Sequence, residues 1–280
     1  MPNGTNASKA RGVSATVLVV AGVDSGGGAG ILRDCTTAQE LGATVRAAVT
    51  AVTAQNDSGL RAIHHIPADI VAAQMVAAGA IDAVKIGMLG TADTVIAVAG
   101  SLPLDAPLVL DPVLDSSSGY CLLDPQGLRA MISLLLPRVT LLTPNLPELA
   151  TLGAMLGVPN QDEATIVDAL HHAGSPAVLV KGGHEEAATQ CEDRLYTRHG
   201  AMIRFSSQRL PVSLRGTGCQ LATGIAARLA HGDALEDAVA TARRSVQSRF
   251  SAAVCAADDL KRGEGGGEER AIDQAVSGTE

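Results

Sequence analysis

The feature that most constrains the fold is a repeated alternation between apolar runs of strand length and segments with helical spacing. Apolar runs lie at 15–23, 82–89, 107–113 and 176–183. Within them hydrophobic residues are nearly continuous, which is typical of strands buried on both faces of a parallel sheet. The chain is therefore predicted to be an α/β protein with three α/β/α layers. Its central sheet is predicted to be mostly parallel, with helices on both faces.

Composition limits the classes of partner. The formal net charge is −8 and aromatic residues are 1% of the chain, which argues against nucleic-acid binding by phosphate contacts or by base stacking. The five cysteines form no C-x-x-C pair, and no apolar run is long enough for a membrane span. We expect a cytoplasmic protein with a small-molecule substrate.

The chain is expected to hold one domain. Residues 1–14 are predicted to be a mobile segment, 15–255 the folded domain, and 256–280 a flexible, Gly-rich and charged tail. A hairpin predicted at 193–205, turning at His199–Gly200, suggests an edge flap or a subunit contact, so a homodimer is expected.

Polar residues follow the predicted strands directly. In parallel sheets, ligands bind beyond the carboxyl ends of the strands, so these residues are predicted to line a site at one edge. They are Asp24, Gln55, Asn56, Met88 (an apolar member), Asp111, Asn145 and Lys181.

The glycine-rich segment 22–31 lies between a predicted strand and a helix, and it lacks both Walker and dinucleotide-binding spacing. It is either a flexible turn or a backbone surface against which a ligand lies. In the second case Asp34 could reach a ligand amine. The amide of Gln55 would suit a heteroaromatic ring, although exposed amides after strands are common.

Three charged residues indicate phosphate chemistry. Asp111 ends an apolar strand and could hold Mg²⁺ with Glu148, or could simply cap a turn. In the segment 143–150, Pro144 and Asn145 could simply end the strand and Pro147 open a helix, or Asn145 and Glu148 could face a charged ligand. Lys181, followed by two glycines, suits a phosphate clamp, although a surface lysine is the alternative.

The segment Gly216, Thr217, Gly218, Cys219 opens a predicted helix. Amide groups at a helix N-terminus can bind an anion, and a thiol there usually has a lowered pKa. The alternative is a small buried cysteine in a glycine turn.

Taken in order, the motifs of this chain resemble those of the hydroxymethylpyrimidine and phosphomethylpyrimidine kinases of thiamine biosynthesis, in the ribokinase superfamily. The matching stretches are AGVDSGGGAGILRD, AVTAVTAQN, KIGML, VLDPV, TPNLPE, VLVKGGH and RGTGC. The resemblance implies transfer of a phosphoryl group from ATP to a pyrimidine hydroxymethyl group, and then to the resulting monophosphate.

The resemblance also implies roles for individual residues. Asp111 and Glu148 would lie near Mg²⁺, Asn145 and Lys181 near the ATP phosphates, and 216–219 would form the anion hole. Cys219 would be a base or a positioning group. The pyrimidine pocket would be lined by Gly22, Asp34, Gln55, Met88 and Val113.

Three residues depart from the family pattern: Val23 where serine is common, Arg215 where histidine is common, and Ser117 where lysine is common. They leave pyridoxal kinase, or a related vitamin kinase, as the alternative activity, and a binding protein without catalysis as a third. Our hypothesis for Arg215 is that it contacts the monophosphate.

Overall fold

The computed structural model describes residues 14–116, 119–183, 189–198 and 200–275, with side chains described as far as residue 259. Residues 1–13, Ser117 and His199, on which some of our predictions fall, lie outside the described residues. Strands in the described part are β1 Ala15–Asp24, β2 Ala43–Asn56, β3 Gly59–His65, β4 Ala83–Ile86, β5 Leu108–Leu110, β6 Leu141–Leu142, β7 Ala177–Val180, β8 Gln190–Thr197 and β9 Ile203–Gln208.

These strands form one sheet in the order β3-β2-β1-β4-β5-β6-β7-β8-β9. The pairings from β2 through β7 are parallel, whereas β3 pairs antiparallel with β2, and β8 and β9 extend the other edge antiparallel. The predicted mostly parallel sheet is confirmed. The predicted hairpin corresponds to β8 and β9.

Helices cover both faces of the sheet. They are α1 Gly30–Glu40, α2 Ala68–Ala77, α3 Ala92–Ser101, α4 Pro125–Ala130, α5 Leu146–Met155, α6 Glu163–His172, α7 Thr217–Ala230 and α8 Leu235–Ala275. A short π-helical turn, Met131–Leu135, follows α4. One core joins the sheet to α2 through α6, and a second joins it to α1, α7 and α8, which confirms the three layers.

Two elements differ from the sequence expectation. Strand β3 was not predicted, because as an edge strand it has an exposed face and only Leu60 is fully buried. Helix α8 continues to Ala275, through much of the segment for which we predicted a flexible tail. Apart from its glycines, that segment is rich in helix-forming Ala, Glu and Arg and has no proline, so the helix can continue. The domain limits themselves stay a prediction.

Among the described helices, none is both long and apolar enough to cross a bilayer.

Candidate active site

A cavity of about 650 Å³ lies beyond the carboxyl ends of the parallel strands. The convergence predicted from the strand-end residues is confirmed for most of them. Those lining the cavity are Asp24, Gln55, Met88, Asp111, Asn145 and Lys181.

One wall of the cavity carries a compact charge cluster. Lys181 directly follows β7, and its Nζ lies 2.6 Å from Oδ1 of Asp111 and 3.7 Å from Oε2 of Glu148. Asp111 directly follows β5, and its Oδ1 also accepts a hydrogen bond from the Thr143 hydroxyl at 3.1 Å. Burial alone would lower the pKa of Lys181, but Asp111 and Glu148 raise it, so the ammonium stays charged.

The start of helix α5 explains the polar segment after β6. The Asn145 side chain accepts a hydrogen bond from the backbone N–H of Glu148 at 2.8 Å. The Glu148 carboxylate accepts one from the backbone N–H of Asn145, also at 2.8 Å. This capping box also holds both side chains at the cavity, so opening a helix and facing a ligand are compatible alternatives. The capping roles of Asn145 and Glu148 were not predicted. The pKa of Glu148 is raised to about 7, because burial and the Asp111 charge raise it more than Lys181 and the Asn145 amide lower it.

Helix α7 begins against the same cluster. Gly216 precedes it in the left-handed region at φ 72°, and an added Cβ would lie 2.2 Å from the Gly28 carbonyl oxygen. A Cβ on Gly218 would lie 3.3 Å from Lys181 Nζ and 3.7 Å from Asp111 Oδ2. The first amide groups of a helix have no hydrogen-bond partner within the helix. Here they lie near the Lys181 ammonium at the cavity wall. This arrangement suits an anion.

Cys219 lines the cavity, but the expectation of a lowered thiol pKa is wrong. Desolvation raises the pKa of Cys219, with further contributions from Asp34 and Asp111, and this exceeds the lowering by Lys85. The site therefore favours a neutral thiol at physiological pH.

We predicted that Asp34 would line the pocket, but it is not among the residues that line the cavity. It is completely buried, with one oxygen 2.8 Å from Lys85 Nζ and the other accepting from the Thr223 hydroxyl at 2.7 Å. Burial raises the pKa of Asp34. Burial alone would lower the pKa of Lys85, but the Asp34 charge beside it raises it, so Lys85 stays an ammonium. Asp34 faces inward because its helix presents this side to α7 and the sheet.

Lys85 was not singled out from the sequence. It is fully buried in strand β4, bonded to Asp34, and it lines the cavity at its end. The available signal was a lysine inside an apolar strand, since a buried cation requires a partner.

The opposite wall is largely apolar. Met88, Leu122 and Val113 belong to one cluster of packed hydrophobic residues beside the cavity. An added Cβ on Gly22 would approach the Met88 sulfur at 3.0 Å, so the glycine lets backbone and thioether lie close together. Gln55 lies at the end of β2 and lines the same space. These residues offer a flat, mostly apolar surface with one amide.

Arg215 connects the glycine-rich loop to the turn after β2. Its guanidinium is 2.7 Å from an oxygen of Asp24 and 3.1 Å from an oxygen of Asp57. Val23 pairs with Gly30 across the loop and lines the cavity beside it.

The residues fit a magnesium ion. Within the described part of the chain, no group of three or more His, Cys, Asp or Glu side chains could hold a metal. Magnesium needs no such group, because it commonly binds one or two carboxylates, waters and substrate phosphates. Thr143 and Lys181 both donate to Oδ1 of Asp111, and Oδ2 lies toward the start of α7.

Comparison with known proteins agrees with this geometry. The family model for phosphomethylpyrimidine kinase matches residues 24–265. The hydroxymethylpyrimidine/phosphomethylpyrimidine kinase of Mycobacterium tuberculosis is 43% identical over 244 residues, covering 85% of this chain and 88% of that protein. The enzyme of the same name from Rhizobium meliloti is 38% identical over 261 residues, covering 91% and 96%.

Solved structures share the fold. The pyridoxal kinase from Staphylococcus aureus in complex with pyridoxal superposes with a TM-score of 0.76 at 28% identity, covering 86% of this chain and 89% of that chain. The phosphomethylpyrimidine kinase from Clostridium difficile superposes with a TM-score of 0.70 at 29% identity, covering 84% and 99%. The fold is thus shared by two kinds of vitamin kinase, while the family model and the curated relatives distinguish between them. This chain belongs to the phosphomethylpyrimidine kinase family.

Proposed function

We propose that this enzyme transfers the γ-phosphoryl group of ATP to 4-amino-5-hydroxymethyl-2-methylpyrimidine, and then transfers a second one to the monophosphate. The observation that carries the proposal is the meeting of Lys181, Asp111 and the start of α7 on one cavity wall. The opposite wall offers the apolar and amide surface that a pyrimidine needs.

Phosphoryl transfer depends mainly on alignment and on neutralising charge. Lys181 would bind the triphosphate, and Asn145, held by its capping box, would lie beside it. The amides of Gly216, Thr217, Gly218 and Cys219 would hold the migrating group. Magnesium, held by Asp111 and Glu148 together with water and phosphate oxygens, would supply further charge neutralisation.

The acceptor ring would lie against Gly22, Met88 and Val113, with the Gln55 amide bonded to ring nitrogen or amino groups. Asp34 is left out of this contact because both its oxygens are bonded beneath the cavity. Cys219 would lie beside the attacking oxygen. As a neutral thiol it would position the acceptor rather than remove its proton, and a loose transition state requires little of a base.

Pyridoxal kinase is the second candidate, since the solved neighbours at higher TM-score bear that name. Both substrates are six-membered heteroaromatic rings with a hydroxymethyl arm. The curated relatives and the family model support the pyrimidine instead.

The test is ADP release with the aminopyrimidine alcohol, its monophosphate and pyridoxal offered separately, with and without Mg²⁺. We expect kcat/KM to be highest for the pyrimidine substrates, and activity to disappear on chelation. A preference for pyridoxal would transfer the assignment to the alternative, and absence of turnover with all three would leave a binding protein.

The remaining expectations belong to the same proposal. A homodimer in the cytoplasm, with a folded unit at 15–255, is what we expect for this enzyme. Light scattering, fractionation and limited proteolysis measure these three properties directly.

A further inference from the structure

Arg215 directly precedes the segment proposed as the anion hole. Its backbone carbonyl accepts a hydrogen bond from Arg249 at 3.0 Å, which ties the residue to α8. The absence of a side chain at Gly28 makes room for the guanidinium, since a Cβ there would lie 3.3 Å from the guanidinium carbon. Arg215 and the next residue, Gly216, both line the cavity. The Arg215 cation is therefore next in sequence to the anion hole that is proposed to hold the migrating phosphoryl group.

The two carboxylates bound to Arg215 differ in kind. Asp24 is 4% exposed, and its oxygens also accept from the amides of Gly26 and Ala29 at 2.9 Å each. Asp57 is 97% exposed and pairs with Arg215 at 3.1 Å. An exposed ion pair contributes about 0–1 kcal/mol, so the Asp57 contact is easily replaced, whereas the Asp24 contact is built into the loop.

The second phosphorylation makes a demand that the first does not. Its acceptor is already a phosphate, with a charge of about −1.5 to −2 at neutral pH. The attacking oxygen now belongs to that phosphate, so the acceptor phosphate must lie beside the anion hole that holds the migrating group. Its other oxygens remain charged and need donors. The other cations that line the cavity have partners elsewhere: Lys181 is bonded to Asp111, Lys85 to Asp34, Arg243 to Asp193 and Arg209 to the Gly183 carbonyl. Arg215 is the lining cation that directly precedes the proposed anion hole.

We propose that Arg215 is the specificity residue for the monophosphate, exchanging its contact with Asp57 for the substrate phosphate while Asp24 keeps the guanidinium in place. This inference rests on the proposed function and names which of its two substrates the residue serves. An arginine fork suits the task because it can bind a carboxylate and a phosphate at the same time.

The chemical step balances without a further reactant. A non-bridging oxygen of the monophosphate forms a bond to the γ-phosphorus, and the bond from that phosphorus to the β,γ-bridging oxygen breaks, releasing ADP. The ionised attacking oxygen carries no proton, so none has to be removed. Arg215 stabilises the acceptor charge and takes no part in the bond changes.

The experiment compares Arg215→Gln and Asp57→Asn with the unaltered enzyme. Arg204→Gln is the matched control, because Arg204 is also paired with a carboxylate, that of Glu192, but is 60% exposed and is absent from the cavity lining. Steady-state kinetics is measured with the alcohol and with the monophosphate. Calorimetry measures the binding of each, without nucleotide.

For Arg215→Gln we expect KM and Kd for the monophosphate to rise at least tenfold, while values for the alcohol change less than threefold. For Asp57→Asn we expect the monophosphate KM to fall about two- to threefold, because the competing carboxylate is gone. Arg204→Gln should change neither. Equal loss with both substrates, or no loss with the monophosphate, overturns the proposal, as does a raised monophosphate KM in Asp57→Asn.

Two controls separate folding and the wider function from this inference. Removing Arg215 leaves the buried Asp24 with two amide donors, so Arg215→Lys, which keeps the charge but loses the fork, is compared as well. We expect it to recover folding and only part of the monophosphate affinity; full recovery of affinity contradicts the need for a fork. If the unaltered enzyme turns over neither substrate, the proposed function fails, yet calorimetry still decides whether Arg215 selects the monophosphate. If it turns over both substrates but Arg215→Gln impairs both equally or neither, this inference alone fails. If it turns over the alcohol but neither binds nor turns over the monophosphate, the second step of the proposed function fails together with this inference.

Discussion

Two lysine–aspartate pairs lie near the same cavity and differ in the solvent exposure of their side chains. Lys85 and Asp34 are 2.8 Å apart with both side chains 0% exposed, whereas Lys181 and Asp111 are 2.6 Å apart with side chains 13% and 3% exposed. The first pair is completed by the Thr223 hydroxyl. The second keeps Asp111 Oδ2 directed at the start of α7.

The surroundings of an ion pair decide whether it can only stabilise the fold or can also bind a ligand. A fully buried pair has all its hydrogen bonds within the protein, and losing one partner leaves an uncompensated charge. A pair open to a cavity can exchange a partner for a ligand. Four predictions test whether stability resides in one pair and turnover in the other.

The largest effect on turnover is expected for Lys181→Met. Removing the cation that faces the proposed triphosphate should reduce turnover by about a thousandfold, or ~4 kcal/mol of barrier. Stopped-flow measurement of a single turnover, with chemical unfolding alongside, checks this. A fall of less than tenfold would place phosphate binding elsewhere.

Lys85→Met should act mainly on stability. It leaves Asp34 buried and unpaired, and the expected loss is about 3–5 kcal/mol in the free energy of unfolding. The matched control is Lys85→Met with Asp34→Asn, which removes the charge and keeps an acceptor for Thr223; it should regain most of the loss. If Lys85→Met unfolds like the unaltered protein, the closed pair is not structural.

Cys219→Ala tests the residue between the two pairs, whose thiol interacts electrostatically with both lysines. We expect turnover of the alcohol to fall at least tenfold, ~1.4 kcal/mol of barrier, with little change in pyrimidine binding. A positioning group should serve both steps alike. A loss confined to the alcohol, which alone has a proton to remove, would instead identify a base and contradict the neutral thiol.

The smallest effect is expected for Asn145→Ala, which removes the cap beside Lys181. Loss of the cap should destabilise the protein by about 1 kcal/mol. Asn145→Asp is the sharper variant, since it keeps the cap but adds a negative charge. It should preserve the unfolding midpoint while raising the KM for ATP; an unchanged KM would separate Asn145 from the nucleotide.

Much of the site was predictable because it depends on local patterns. Strand ends at Gln55, Asp111 and Lys181 were placed correctly at one edge, since parallel strands share a direction. The glycines at 216 and 218 predicted an anion hole from their position before a helical pattern. Strand β3 escaped prediction because its pattern reflects exposure at an edge rather than burial.

What could not be predicted depends on pairs far apart in the chain. Lys85 meets Asp34 across 51 positions, and Arg215 meets Asp24 across 191. The thiol of Cys219 follows the same rule: its helix-end position predicts a lowered pKa, but burial beside carboxylates raises it.

Hydrophobic periodicity and motif order are local properties of the chain, so the sequence alone was enough to predict the layers, the family and the edge of the sheet at which the cavity lies. Which charged side chains are fully buried and which face the cavity became clear only from the folded structure. Burial and pairing of a charged group depend on every element packed around it, and these elements come together only in the fold.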